Sequence, residues 1–449
     1  DLGAFMVIVA IAVGILFIGG INDTTPFRRS VFAGNVVSRV DEKVEPQNCV
    51  SCHMPPAGPK SQASHRFVGG HTTLAATIGS TEQLEAIERL LRDAATLSVA
   101  AMGVGDVVVQ PPPAELKPGD RFWADVVVFN ENTGHSFPGG ARDLRDTWIE
   151  VQLLDATGEV LASAGTDHAE SGADESAVQL RAVLASDEGN IVDSHRVMTF
   201  RAPVIDRTVE PRDAQVARFT WTVPDGTAPK MPLEVRAKLR HRRVHRPLHE
   251  QACEASKTER GAAFAKYTKR YLDRVVDPCV TQPVIDLEEA WARFGTGKEP
   301  GAAQRSDLEQ PAWERHFHRG LGLMHNVQET LPEALDAFET ALAAVSADGP
   351  PIARAQILFQ MGNIAARQGR TEDAMDLWAQ TEKLIGTHPA IHFARGNAHQ
   401  RVFGNAEATM WFQKAAELVD NVEVGGKRRA NDVEVDHVGV GGCRHRISV

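Results

Sequence analysis

Three residues of the sequence have the types and the spacing needed for redox chemistry. Cys49, Cys52 and His53 form the pattern C-x-x-C-H, which is the attachment motif of c-type haem. The two thiols can each add to one vinyl group of a porphyrin, and the histidine that follows directly can reach the iron. A zinc site would need a second ligand pair, and a thioredoxin-type motif would need a βαβ setting instead of the Pro-rich run CHMPPAGPK. The pattern therefore predicts one haem c, with thioether bonds to Cys49 and Cys52 and with His53 as the proximal iron ligand.

The sixth iron ligand has three histidine candidates. His71 is the first choice, because Gly69 and Gly70 carry no Cβ and let the backbone approach a flat ring. His65 lies in the same stretch, and His135 lies in a glycine-rich loop between two predicted strands. Each of the three has the alternative role of a solvated loop histidine.

Two arginines follow the loop that holds His135. Arg142 and Arg145 each carry a guanidinium group, which binds a carboxylate through two parallel hydrogen bonds. The sequence predicts that they contact the haem propionates, with ordinary solvent exposure as the alternative.

Three runs of sequence resemble one family. CVSCHMP, then SHRFVGGH, then NTGHSFPGGARDLRDTWIEV at residues 132–151 are similar to the terminal haem segment and the following β-domain of periplasmic multihaem c-type cytochromes. The resemblance covers residues 45–245. It implies an electron-transfer protein in which His53 is the proximal ligand and His71 or His135 is a distal ligand, to this haem or to a neighbouring one. Those relatives carry several C-x-x-C-H motifs and this chain has one, which implies a single redox centre that passes electrons to another subunit.

The first residues of the sequence are apolar. Residues 2–21 contain no charge, and about 20 apolar residues are enough for a helix to cross a bilayer. We expect a transmembrane anchor at residues 1–22, with a signal peptide as the alternative. Because haem c is attached outside the cytoplasm, the bulk of the chain is expected to be periplasmic or extracellular, although Arg28 and Arg29 favour the opposite topology.

The fold class predicted for the 449 residues is multidomain, with α and β parts. A helical pattern runs over residues 80–101, and alternating apolar residues then predict seven short strands of an immunoglobulin-like β-sandwich. The predicted domains are a transmembrane anchor at 1–22, a haem c segment at 23–103, a β-sandwich at 104–246, a helical connector at 247–300, tetratricopeptide repeats at 301–420 and a poorly ordered tail at 421–449.

The connector region contains two features of its own. Cys253 and Cys279 flank a helical segment, and in an oxidising compartment they are expected to form a disulfide. Just before them, residues 238–246 form a basic run. Its two interpretations are a docking patch for an acidic partner and a solvated strand end.

The C-terminal part of the sequence is repetitive. Gly362, Ala374 and Trp378 recur as Gly396, Ala408 and Phe412 at a spacing of 34 residues, which is the tetratricopeptide period. An earlier copy contains Gly320, Ala334 and Phe338. The pattern resembles tetratricopeptide-repeat proteins and implies a groove that binds a protein partner, with a rigid spacer as the alternative. The aromatic residues are expected to fill the seams between repeats.

Charge limits the class of function. The chain has 48 Lys and Arg against 59 Asp and Glu, a formal net charge of −11, which argues against nucleic acid as a partner. The sequence favours a membrane-anchored monohaem cytochrome c that relays single electrons within or to a larger membrane complex, with the repeats as a docking platform for other redox subunits. The alternatives are a haem enzyme of the peroxidase type and a repeat scaffold with a structural haem. Electron transfer is favoured over catalysis because no paired carboxylates or second metal motif accompany the haem motif.

Overall fold

The computed structural model describes residues 23–41, 44–56, 62–64, 67–108, 115–168, 172–173, 176–192, 195–273, 276–295, 310–325 and 330–420. These residues belong to two units, one within 1–28 and 47–344 and the other within 29–46 and 345–449. The first unit is mixed α and β, and the second is helical. The motif residues Cys49, Cys52 and His53 lie in the first unit.

The strands of the first unit belong to two larger antiparallel sheets and two short pairs. They are β1 (Thr96–Val104), β2 (Val107–Val108), β3 (Arg121–Phe129), β4 (Asp146–Leu154), β5 (Val160–Ala164), β6 (Asp167–His168), β7 (Gly172–Ala173), β8 (Val178–Gln179), β9 (Ala182–Ala185), β10 (Ala202–Asp206), β11 (Ala214–Thr222), β12 (Leu233–Arg242) and β13 (Ile285–Phe294). One sheet has the order β11-β3-β1-β2, and the other has the order β13-β12-β4-β5 with β8 also paired to β4. The two short pairs are β9 with β10 and β6 with β7.

One apolar core includes residues from both larger sheets. Phe122 of β3 and Phe294 of β13 are fully buried and meet edge to face, with their ring centroids 5.2 Å apart. Leu233, Val235 and Leu239 of β12 alternate with outward-facing side chains and join the same core. The loop that holds His135, Arg142 and Arg145 joins β3 to β4.

The first unit also contains eight described α-helices. They are α1 (Thr24–Arg29), α2 (Cys49–His53), α3 (Thr72–Thr77), α4 (Thr81–Arg92), α5 (Arg246–Ser256), α6 (Glu259–Leu272), α7 (Ala312–Met324) and α8 (Leu331–Ala344). The structure joins Cys253 and Cys279 by a disulfide, with their Cα atoms 4.6 Å apart. This bond ties α5 to the segment that follows α6.

The predicted immunoglobulin-like sandwich is wrong in its composition and its limits. The helix expected over 80–101 ends at Arg92, because Thr96–Val104 is a strand of almost continuous buried residues, which has no alternation to show in sequence. The expected helical connector contains the strand Ile285–Phe294, whose inward alanines and outward acids hid its alternation. The fold class is therefore corrected to a mixed α and β unit with two antiparallel sheets, inserted helices and C-terminal helices.

The predicted transmembrane anchor is also corrected. Within the part of the chain that the structure describes, no helix has the length and apolar character needed to cross a bilayer. The longest described helix, Pro351–Arg367, has 17 residues, against about 20 for a bilayer core. The predicted segment at residues 1–22 lies outside the described residues, as do His65 and the tail at 421–449. The membrane-anchored location, with the bulk of the chain periplasmic or extracellular, is withdrawn accordingly.

Among the described residues of the second unit, four α-helices form two pairs. They are α9 (Pro351–Arg367), α10 (Thr371–Ile385), α11 (Pro389–Arg401) and α12 (Asn405–Asp420). A Cβ on Gly362 of α9 would lie 2.5 Å from Trp378 Nε1 of α10, and a Cβ on Gly396 of α11 would lie 2.5 Å from the Phe412 ring of α12. The aromatic rings therefore fill the seam within each helix pair, and not the seam between repeats that the sequence pattern predicted.

The helix pair α7 and α8 has the same seam. A Cβ on Gly320 would lie 2.5 Å from the Phe338 ring. This pair belongs to the first unit, where α7 packs on the sheet that contains β3 and β11. His318 of α7 stacks on Phe129 of β3, with the ring centroids 3.6 Å apart and an angle of 8° between the ring planes.

Candidate haem-binding site

The two motif cysteines lie on one short helix whose start is capped. The Asn48 side chain accepts hydrogen bonds of 2.9 Å from the backbone N–H groups of Val50 and Ser51, and the Ser51 hydroxyl accepts one of 2.9 Å from the Asn48 N–H. This reciprocal cap stabilises a turn that is too short to persist alone. Cys49 and Cys52 are exposed free thiols on this turn. Both are accessible to a group that would bond to them.

An open surface cavity of about 650 Å³ lies beside the same turn. It is lined by Asn48, Cys49, Val50, Ser51, Met54, Pro56 and Ala63. Val50 is 50% exposed. The thiol of Cys49 thus borders a concave and partly apolar surface.

His53 has one ring nitrogen engaged and one free for a ligand bond. Its Nδ1–H donates to the carbonyl oxygen of Val68, with 2.6 Å between nitrogen and oxygen. The ring stacks on Phe67, with centroids 4.8 Å apart and an angle of 14° between the planes. A backbone carbonyl on Nδ1 is the usual partner of a histidine that binds a metal through Nε2, because it fixes the tautomer and the ring orientation. His53 therefore has the geometry of a metal-binding imidazole.

His135, in the loop between β3 and β4, makes an equivalent hydrogen bond. Its Nδ1–H donates to the carbonyl oxygen of Ser136 at 2.9 Å. Its ring is nearly parallel to that of His53, at an angle of 11° and with the centroids 6.1 Å apart. Buried Asn130 holds the loop in place, because its amide donates to the His135 carbonyl at 2.9 Å and to the Val209 carbonyl at 3.0 Å. The absence of a Cβ on Gly139 leaves the space that the His135 ring occupies.

His71 lies close to the loop that holds His53. A Cβ on Gly69 would lie 3.7 Å from His71 Nε2 and 3.9 Å from His53 Nδ1. Burial is the main cause that lowers the pKa of His71, and the positive charge of Arg243 and the nearby His53 lower it further. His71 therefore favours its neutral form, which can accept a proton or bind a metal. It approaches His53 near the nitrogen that Val68 already engages.

The two arginines predicted to contact propionates differ in their surroundings. Arg142 donates from Nη1 to the Asp206 carboxylate at 2.9 Å and to the Thr208 hydroxyl at 3.1 Å. Arg145 is 6% exposed and donates from Nε to the Gly139 carbonyl at 2.8 Å. The Nη1 atom of Arg145 is buried and has no hydrogen-bond partner among the described residues. Arg145 therefore retains a donor for a further ligand.

The basic run at residues 238–246 does not form one cationic patch. Arg240 pairs with Glu150 at 2.7 Å, and Arg242 pairs with the buried carboxylate of Asp146. Lys238 lies between Asp286 and Glu289, at 3.1 and 2.7 Å. These three cations are therefore largely neutralised across the sheet, which argues against a docking patch for an acidic partner.

Sequence reasoning missed two residues near the site. His241 faces the core with 1% exposure, its Nδ1 lies 2.7 Å from the Thr147 hydroxyl, and burial lowers its pKa to about 4. A Cβ on Gly70 would lie 3.4 Å from His241 Nε2, which places the end of β12 against the loop that leads into His71. Arg243, two residues further on, is close enough to affect the pKa of His71. The alternation within the basic run was the signal that could have separated His241 from its outward neighbours.

The donor set fits a porphyrin better than a bare metal ion. Within the described ranges, no group of three or more His, Cys, Asp and Glu side chains is arranged to hold an ion. The site offers two imidazoles and two exposed thiols. A porphyrin supplies four nitrogens of its own and needs only axial ligands and, in haem c, two thiols. The residues present are therefore those that a covalently bound haem requires.

Comparisons with known proteins give distant structural neighbours. No family model and no curated protein matches the chain. A penta-heme cytochrome c552 from Thermochromatium tepidum is 18% identical with a TM-score of 0.33, and the match covers 61% of this chain and 51% of that one. The chain thus spans about half the length of that cytochrome. The second TPR of Spaghetti (RPAP3), bound to the HSP90 peptide SRMEEVD, is 20% identical with a TM-score of 0.19 and covers 23% of this chain and 83% of its own.

Proposed function

We propose that this protein is a monohaem c-type cytochrome that relays single electrons, with the iron held between His53 and His135. The observation that carries the proposal is the pair of parallel imidazoles with centroids 6.1 Å apart, each with Nδ1–H donated to a backbone carbonyl. Cys49 and Cys52 would form the thioether bonds. The haem, when bound, supplies a one-electron couple.

The spacing of the two rings supports a shared metal. A bond from an imidazole nitrogen to a metal is about 2 Å long. Two imidazoles that bind one metal from opposite sides therefore have centroids about 6 Å apart, and the rings of His53 and His135 lie at 6.1 Å. Because backbone carbonyls engage both Nδ1 atoms, Nε2 is the nitrogen of each ring that is available for ligation. His71 remains the alternative distal ligand, since burial favours its neutral form.

The chain's own residues favour relay over catalysis. A peroxidase-type site needs an open iron face and an acid–base group above it. With His53 and His135 both engaged at the iron, neither face would be open, and the hydrogen bonds to Val68 and Ser136 would hold the rings in one orientation in both oxidation states. A centre that changes its geometry little suits electron transfer.

Mass and absorption measurements on the purified protein test this function. We expect a mass increase of one haem on the polypeptide and a six-coordinate low-spin spectrum in both oxidation states. A variant with Cys49→Ala and Cys52→Ala is the control and should lose the added mass. A polypeptide without the macrocycle would reject the cytochrome. A five-coordinate high-spin iron that reacts with peroxide would instead support the peroxidase-type enzyme.

We further propose that the helices of residues 351–420 dock a protein partner. The two pairs α9–α10 and α11–α12 follow each other at the repeat spacing with equivalent glycine and aromatic contacts, and successive helix pairs present extended binding surfaces. Cross-linking of the intact protein in its native complex should join a partner to Lys383 and Lys414, both of which are exposed. Cross-links confined to residues 23–344 would contradict this docking role and favour a spacer.

A further inference from the structure

We infer that Arg145 and Arg243 together form a binding site for a carboxylate pair, and that its ligand is the propionate pair of the haem, an identification that rests on the proposed function. The sequence predicted Arg142 and Arg145 as propionate contacts, and the structure points to Arg243 in place of Arg142 as the partner of Arg145. This assignment follows from register, burial and unused hydrogen-bond donors.

The two arginines are neighbours across the end of one antiparallel ladder. In the register of β4 and β12, Arg242 lies opposite Asp146 and His241 lies opposite Thr147. Arg145 directly precedes Asp146 and Arg243 directly follows Arg242, so the two arginines flank this last ladder pair. Just beyond, the His245 N–H donates to the Leu144 carbonyl at 2.9 Å, so the two chains stay together past the last ladder pair. Residues opposite each other on paired strands project to the same side of the sheet.

Two adjacent cations with unused donors require an anion. Like charges directly opposite on paired strands repel each other. Nη1 of Arg145 and Nη1 of Arg243 are both buried and without a hydrogen-bond partner among the described residues. Burial alone lowers the pKa of Arg243, with no acidic group contributing. A buried charge without a partner is strongly unfavourable, so the arrangement is stable only when a ligand neutralises it.

The neighbouring Arg242 differs from Arg145 and Arg243, because carboxylates of the protein neutralise its charge. Arg242 forms ion pairs with Asp146 and Asp167. Arg145 and Arg243, which flank this cluster, have no such carboxylate within the part of the chain that is described. In the proposed site, a ligand supplies the carboxylates.

Two glycines let the Arg145 guanidinium and the His135 ring lie beside each other. Gly140 has φ +75°, and a Cβ there would lie 2.5 Å from Nη2 of Arg145. Gly139, whose carbonyl accepts from Arg145 Nε, also makes space for the His135 ring. Arg243 acts electrostatically on His71. The two guanidinium groups thus border the histidine cluster, which is where the two carboxylates of a haem would lie.

The midpoint potential of the bound haem tests the pair. Arg243→Gln removes a positive charge near the iron and stabilises the ferric state, so the potential should fall. At the wild-type midpoint, the ratio of ferrous to ferric haem should drop about threefold or more. The pH dependence of the potential should also move to higher pH, because a propionate without its cation binds a proton more readily. Arg243→Lys keeps the charge and should retain most of the wild-type potential.

Two further variants make the result decisive. Arg236→Gln, at the other end of β12 in an exposed ion pair with Glu234, should leave the potential unchanged. Arg145→Gln should repeat the effect of Arg243→Gln and serves as the second variant if the first does not fold. An unchanged potential and pH curve in Arg243→Gln with full haem content would overturn the inference.

If the mature protein carries no haem, the proposed function fails and the arginine pair is tested separately with malonate. A rise of the melting temperature with malonate in the wild type, and none in Arg243→Gln, would support the carboxylate site. No rise in either protein would overturn it.

Discussion

At the scale of single residues, the candidate site depends on which ring nitrogen is engaged. Val68 and Ser136 each accept a hydrogen bond from Nδ1 of a histidine. Both acceptors are backbone carbonyl oxygens, so the contacts do not depend on the side chains of Val68 and Ser136. The same two contacts fix the rotation of both rings. The relative position of the His53 and His135 rings therefore depends on two loops and on the core that supports these loops.

Removing one imidazole at a time distinguishes the two distal candidates. We predict that His135→Ala converts the oxidised haem from a low-spin to a high-spin spectrum, because the sixth ligand is lost. His71→Ala is the matched control, since it removes a half-buried histidine next to His53 without removing the parallel ring. The reverse result, a high-spin His71→Ala and an unchanged His135→Ala, would make His71 the distal ligand.

The residues of the motif turn were predictable from sequence, and their partners were not. The spacing of Cys49, Cys52 and His53 is local, so one helical turn suffices to present all three. His135 reaches His53 only because the loop after β3 folds back over the site, which no short pattern records. Arg243 was hidden inside a basic run whose members differ in burial and in ion pairing.

At the scale of elements, each helix pair depends on a glycine that faces a ring. Gly362 lies in the interior of α9, where alanine is normally more favourable by about 1 kcal/mol. A methyl group there would lie 2.5 Å from Trp378, whose indole N–H also donates to the Phe359 carbonyl at 3.2 Å. The ring therefore cannot shift without losing that hydrogen bond.

Gly362→Ala is thus predicted to reverse the usual effect of alanine in a helix. We expect a net destabilisation of about 1 kcal/mol or more, because overpacking of a core costs about 1–3 kcal/mol. Hydrogen exchange of the α9 and α10 amides would report it locally. Asp376→Ala, on an exposed position of α10, is the control and should leave exchange unchanged or slightly slower. Slower exchange in Gly362→Ala would show that the seam has room for a methyl group.

The helical repeats were the elements best predicted from sequence, and two strands were the worst. The repeat spacing is visible in the sequence because each glycine and the aromatic residue that faces it recur at the same interval. Nearly every residue of the strand Thr96–Val104 is buried, so its sequence shows no alternation. The helix predicted over 80–101 therefore included part of this strand, whereas the observed helix ends at Arg92. In Ile285–Phe294 the inward residues include two alanines, and alanine is a weak indicator of a strand.

At the scale of the whole molecule, one buried carboxylate joins a helix pair to a sheet. Asp125 of β3 has no exposed surface. It accepts hydrogen bonds from Arg218 of β11 at 2.7 and 2.9 Å and from Arg319 of α7 at 2.8 Å. Because of this contact, the first glycine-aromatic helix pair is part of the sheet-containing unit, although its sequence pattern groups it with the later repeats.

Arg319→Met is predicted to destabilise the first unit by about 3 kcal/mol, because it leaves a buried carboxylate with one cation in place of two. Urea unfolding followed by circular dichroism would measure the loss, and faster hydrogen exchange in α7 would locate it. Arg236→Met, which breaks an exposed pair with Glu234, is the control and should change the free energy of unfolding by less than about 1 kcal/mol. Equal effects of the two variants would mean that Arg218 alone neutralises Asp125 and that apolar contacts, such as His318 on Phe129, hold α7 on the sheet.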